Sequence, residues 1–177
     1  MVGRRGTAVA LSSLALASAA LMWAPAGHAG TGESKGIVCT GTNTSAYDPP
    51  LTLAPQTVRI HANAQYACAV APGRTVPATG SFDVTSPGSS CVALTQAGGT
   101  ETVRYEDHTW SRIEYSGSTT ARVAGVLVTR HTGRIAKGRG EGLPAERVVL
   151  ALPGQLPTDC LTTGLRGNTS PIQLSAL

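Results

Sequence analysis

Charge and aromatic side chains are what this 177-residue chain has least of: 14% of its residues are charged and 4% are aromatic. The small charge content, with a net of +4, leaves no basic patch large enough to argue for nucleic acid or a membrane surface. A carbohydrate-binding face needs several exposed aromatic platforms. Past residue 29 the chain holds Trp110, Phe82, Tyr47, Tyr66, Tyr105 and Tyr115, and strand alternation assigns most of these to an interior. No long segment repeats apolar residues at helical spacing, which excludes a helical bundle. No S-x-x-K pair occurs, and the one G-x-S-x-G match, Gly32 to Gly36, directly follows the export signal with no strand leading into it, so a serine nucleophile has no recognisable setting. No C-x-x-C or short Cys/His pair exists to hold a metal, and no cofactor motif is complete. The glycine-rich run from Ala136 to Gly142 lacks the Lys-Ser/Thr of a phosphate-cradling loop and reads as a loose connection before Pro144.

What the chain does contain begins with an export signal. Arg4 and Arg5 precede an apolar run from about Ala8 to Trp23 and a small-residue close ending at Ala29. The run is short, alanine-rich and interrupted by Ser12, Ser13 and Ser18, so it is too weak for a membrane anchor. Removing the first 29 of 177 residues leaves 148, one domain's worth. Two of the 14 basic residues leave with it, so 12 basic against 10 acidic groups give the remainder +2. Cys39 has no lipobox before it, and Leu156-Pro157-Thr158-Asp159 departs from a cell-wall sorting signal at its last two positions. The expected product is released, with no membrane contact after signal removal.

All four cysteines, Cys39, Cys68, Cys91 and Cys160, follow the signal and enter an oxidising compartment, where two disulfides are expected. Three connectivities exist. The stretch Gly36 to Cys68 reads as strand, loop, strand, and pairing Cys39 with Cys68 sets Gly41 across from Tyr66, Asn43 from Ala64, Ser45 from Ala62 and Tyr47 from Ile60. That register sorts a polar face, with His61 on it, from an inner one. It favours Cys39–Cys68 with Cys91–Cys160, bridges worth up to about 3.5 and about 4.5 kcal/mol through restriction of the unfolded chain.

Twenty-one glycines, 11 prolines and abundant Thr, Ser and Val point to short strands separated by turns. Turns are expected at Ala71-Pro72-Gly73 and Pro77, at Ser86 to Ser90, at Gly117-Ser118 and at His131-Thr132-Gly133. Gly80 to Thr85, Cys91 to Leu94 and Arg147 to Leu152 are strands between them, and Ile172 opens an edge strand. Thr102 to Ser116 reads as a hairpin in which Glu106 faces Arg112 and Arg104 faces Glu114, with Trp110 in a bulged loop. The expected fold is all-β: one antiparallel β-sandwich, immunoglobulin-like or related, over residues 30–177, with two disulfides and a signal peptide before it.

The first cysteine with its Thr-rich strand, the Tyr47-Asp48-Pro49 turn and Thr57-Val58 resemble small secreted actinobacterial all-β proteins. Thr109-Trp110, Gly117-Ser118-Thr119 and Thr132-Gly133 extend the likeness over most of the chain. The group has no assigned activity, so the resemblance implies a secreted sandwich and supplies no catalytic residue. The leading functional expectation is therefore a secreted, non-enzymatic interaction module for an extracellular or cell-envelope partner. Two alternatives stand beside it: a hydrolase using the Glu106, Asp107, His108 tip, and a protease inhibitor presenting Pro87 to Ser90 beside Cys91.

Overall fold

Every second residue from Val58 to Cys68 is buried, while Arg59, His61, Asn63, Gln65 and Ala67 face outward. This is the period of a strand with one dry face and one wet face. The computed structural model describes residues 36–94, 98–124, 126–151 and 158–177, and the Met1–Ala29 signal segment lies outside them. Eight strands run in chain order: β1 Ile37–Leu51, β2 Gln56–Ala71, β3 Arg74–Ser89, β4 Gly99–Tyr105, β5 Trp110–Val123, β6 Val126–Gly138, β7 Pro144–Ala151 and β8 Leu165–Ala176. A 3-10 turn, Thr158–Leu161, precedes β8.

Each strand pairs antiparallel with its sequence neighbours, and β8 returns to β1 from Ile37↔Ala176 through Ala46↔Gly167. The sheet therefore closes into an eight-stranded barrel, which overturns the expected open sandwich. Closure removes every free edge, so Ile172 lies inside a strand paired on both sides instead of opening an edge strand.

The physical reason for the difference is that glycines and prolines expected to break strands lie inside them. Pro77 and the Pro87-Gly88 pair sit within β3, Gly117 within β5, and His131-Thr132-Gly133 within β6. At Gly133 a Cβ would lie 2.1 Å from the Glu114 carbonyl oxygen, so glycine there lets two backbones approach as the sheet coils, without ending the strand. Irregularities near Ile113 and Tyr115 in the β5–β6 ladder add to that coiling. Cys91 to Leu94, expected as a strand, belongs instead to the connection between β3 and β4.

The opening ladder matches its expected register at all five pairs, and both disulfides form as Cys39–Cys68 and Cys91–Cys160. The β4–β5 hairpin differs. Arg112 faces Thr102 instead of Glu106, and Arg104 faces Trp110, which is a strand residue and not part of a loop. The tip is a tight three-residue turn with His108 in the left-handed region, at φ 63°.

The two ends of the barrel are built differently. At the lower end, where β1 begins, hairpins join β2 to β3, β4 to β5 and β6 to β7. Ile37, Val103, Tyr105, Ile113, Ile135 and Leu174 fill the interior there. At the upper end, where β1 finishes, the longer connections β3–β4 and β7–β8 are joined to each other by Cys91–Cys160.

Candidate functional site

Strand alternation carries polar groups into the barrel as well as apolar ones. Glu101 shares the inward parity of Val103 and Tyr105, and Arg147 shares that of Ala145. His131 shares that of Leu127, Thr129 and Ile135. None of the three was singled out in the sequence; this shared parity was the signal that could have found them. Glu101 is 0% exposed and Arg147 2% exposed. A bare charge in such surroundings is very costly, and the two are held together. Arg147 Nε lies 3.4 Å from Glu101 Oε2, in ion-pair contact without hydrogen-bond geometry.

Neighbours complete the pair. Tyr66 donates to Glu101 Oε1 at 2.9 Å and Tyr115 to Oε2 at 2.6 Å, so both carboxylate oxygens are engaged. Arg147 Nη2 donates to Asn43 Oδ1 at 2.8 Å, and the guanidinium carbon lies 4.7 Å from the centre of the Phe82 ring. Burial, then the adjacent Glu101 charge, pushes the Tyr66 and Tyr115 hydroxyls well above their usual range. For Arg147 burial opposes the charge, but Glu101 and the two tyrosines outweigh it and hold the guanidinium protonated.

Above this network lies a cavity of about 60 Å³. By volume it has room for about two waters, and it is part open to solvent, so a small organic molecule bound there would fill it and extend into its mouth. Asn43, Phe82, His131 and Arg147 lie deepest. Leu51, Ile60, Leu127, Val149 and Leu165 line the walls, and Ser90, Cys91 and Leu94 reach in from the disulfide-stapled connection. One wall is a run of hydrogen bonds. Asn43 Nδ2 donates to Ser45 Oγ at 2.8 Å, Tyr47 donates to Asn168 Oδ1 at 2.7 Å, and Asn168 Nδ2 donates to Ser170 Oγ at 3.0 Å. Burial pushes the Tyr47 hydroxyl up to about 12.

His131 was expected in a turn, but it is a buried residue of β6 facing this cavity. Its ring lies 5.4 Å from that of Phe82 and 5.6 Å from that of Tyr115, and no described residue hydrogen-bonds it. Burial first, and the Arg147 charge second, lower its pKa to about 3, so the imidazole is neutral at any ordinary pH.

The sequence-derived candidates lie elsewhere. Glu106, Asp107 and His108 form the β4–β5 tip at the lower end, away from the cavity. Asp107 Oδ2 receives Arg74 Nη2 at 2.8 Å and Arg139 Nη2 at 2.7 Å, which ties three lower-end hairpins together. Hydrogen bonds from Thr109 first, and then Arg139, lower the Asp107 carboxyl to about 2, the wrong direction for a general base near neutral pH. Glu106 and His108 are exposed. His61 does have a partner: it stands on the outer face with Nδ1 2.5 Å from Asp83 Oδ1 across the β2–β3 ladder. In the stretch considered for an inhibitor loop, Pro87 and Gly88 are exposed, whereas Ser89 and Ser90 are buried. Trp110 is 42% exposed and stands alone on the outer face of β5, while Phe82 and all four tyrosines are buried.

Among the described residues no group of three or more His, Cys, Asp or Glu side chains could hold a metal ion, and no helix is long and apolar enough to cross a membrane. No protein-family model matches this chain, and no curated protein or solved structure is significantly similar to it.

Proposed function

We propose that this is a secreted, non-enzymatic binding protein that holds a small molecule in the upper half of its barrel. The observation that carries the reading is the cavity itself. A folded interior is ordinarily packed with few voids larger than a water molecule, yet here a half-open space is left beside a buried polar network. The lower half, by contrast, is filled with apolar side chains. Exposed Leu53, Val92 and Leu161 stand on the upper-end connections, an apolar approach suited to a ligand of low polarity. The two disulfides fit an oxidising extracellular setting, and with the signal-like first 29 residues they support export.

The non-enzymatic part of the reading rests on how the polar groups are committed. Both oxygens of Glu101 already accept hydrogen bonds, Arg147 is balanced by Glu101, and Tyr47 donates to Asn168. A methyl-detected NMR titration with benzene tests the binding reading directly. Signals of Leu51, Leu127, Val149 and Leu165, which line the cavity, are expected to shift, while those of Val103, Ile113 and Ile135 stay in place. Unmoved cavity methyls at saturating benzene and cyclohexanone sink it.

A further inference from the structure

The cavity's polar groups are not evenly divided between donors and acceptors. Asn43 Oδ1 is taken by Arg147, Ser45 Oγ by Asn43, and Asn168 Oδ1 by Tyr47. Facing the space at its deep end is the imidazole of His131, packed against both Phe82 and Tyr115, with the guanidinium of Arg147 and the amide of Asn43 beside it. A neutral imidazole carries one N–H donor and one bare acceptor nitrogen. A ligand oxygen that accepts from the N–H meets the positive Arg147 beside it, whereas a ligand donor would bring its own positive end against that guanidinium.

The ligand's charge follows from the same groups. Arg147 is paired with Glu101 at 3.4 Å, so a buried carboxylate would arrive with no counter-charge of its own. His131 cannot supply one, because burial and the Arg147 charge keep it neutral. We infer that the lumen takes an uncharged, largely apolar molecule whose carbonyl oxygen is received by His131, with Arg147 and Asn43 alongside. This rests on the proposed binding role and adds the chemical class to it. The apolar walls Leu51, Ile60, Leu127 and Leu165 take the carbon body, and the single polar contact sits at the deep end.

Three probes of similar size separate the outcomes by NMR titration at pH 7.5: cyclohexanone, cyclopentanecarboxylate and benzene. Cyclohexanone is expected to bind more tightly than benzene, and the carboxylate not at all. His131→Phe keeps an aromatic ring against Phe82 and Tyr115 but removes the donor, and is expected to weaken cyclohexanone about five-fold while weakening benzene far less. His131→Gln, which restores a donor, is expected to recover part of the loss. Carboxylate binding equal to that of cyclohexanone, or cyclohexanone binding indifferent to His131→Phe, overturns the carbonyl assignment while leaving a ligand-binding lumen. Failure of both benzene and cyclohexanone to bind removes the binding role and this inference with it.

Discussion

A buried ion pair is weak evidence for stability, because desolvation opposes the attraction, but it is a strong constraint on which single substitutions the fold accepts. Glu101 and Arg147 show why. Removing one carboxylate leaves a guanidinium that is 2% exposed with no balancing charge, and Tyr66 and Tyr115 donating to a neutral amide. Glu101→Gln is therefore expected to cost about 3 to 5 kcal/mol in urea unfolding. Glu101→Met combined with Arg147→Met should cost less than Glu101→Gln alone, since no bare charge remains. A double variant as unstable as the two single losses added together would show that the pair acts through something other than mutual neutralisation. Gly80 belongs to the same unit. A Cβ there would lie 2.6 Å from Glu101 Oε1 and 2.7 Å from Tyr66 Cε2, so the absent side chain makes room for the carboxylate.

Strands and their connections decide how much of this could be read in advance. The β1–β2 ladder was legible because a cysteine at each strand pins the register, and a one-residue slip would turn every inward residue outward. The β4–β5 hairpin was misaligned because Glu106–Arg112 and Arg104–Glu114 pairing looked complementary. Exposed ion pairs are worth little, and the tight turn at Glu106 to His108 brings Thr102 to Arg112 instead. Parity is the same in both registers, so Tyr105 and Tyr115 are inward as expected, with Val103 and Ile113 on the same face. Barrel closure was hidden because it depends on β8 meeting β1 across more than a hundred residues, and nothing local in Leu165 to Ala176 signals it. The site was hidden for a related reason: Glu101, His131 and Arg147 come from three separate strands and become a cluster only when the sheet curls. At the upper end, Cys91–Cys160 joins two connections that no strand ladder holds, whereas Cys39–Cys68 bridges strands already paired along their length. The double variant Cys91→Ser with Cys160→Ser is expected to keep its β circular-dichroism spectrum and lose roughly 2 to 5 kcal/mol. Amide protection should fall at Ser90 to Leu94 and persist in β1 and β2. Loss of the β spectrum would show that the staple is needed for closure itself.

The barrel keeps His131 and four tyrosines largely out of water, and this sets its stability at both extremes of pH. His131 has a folded pKa near 3 against an ordinary 6.5, so the unfolded chain binds the proton first as the pH falls. Its contribution is fully present above about pH 6.5 and is lost by up to about 1.4 kcal/mol per unit on the way down to 3. Asp107 loses its own contribution only below about 3.8, so the range between pH 6 and 4 isolates His131, and His131→Phe should flatten the profile there. At the alkaline end the four tyrosines act together. Burial leads the rise at every one: Tyr47 moves to about 12, Tyr105 rises, and Tyr66 and Tyr115 move well above their usual range. With every folded pKa raised, stability is intact below pH 10 and is lost as the pH climbs past the unfolded value, because only the unfolded chain releases those protons. Absorbance at 295 nm, which follows tyrosinate, is therefore expected to stay flat through pH 10. It should then rise for all four rings in one step that coincides with loss of the β circular-dichroism signal. A tyrosine that ionises near pH 10 while that signal is intact would place its hydroxyl in contact with solvent, against the burial that the geometry gives it.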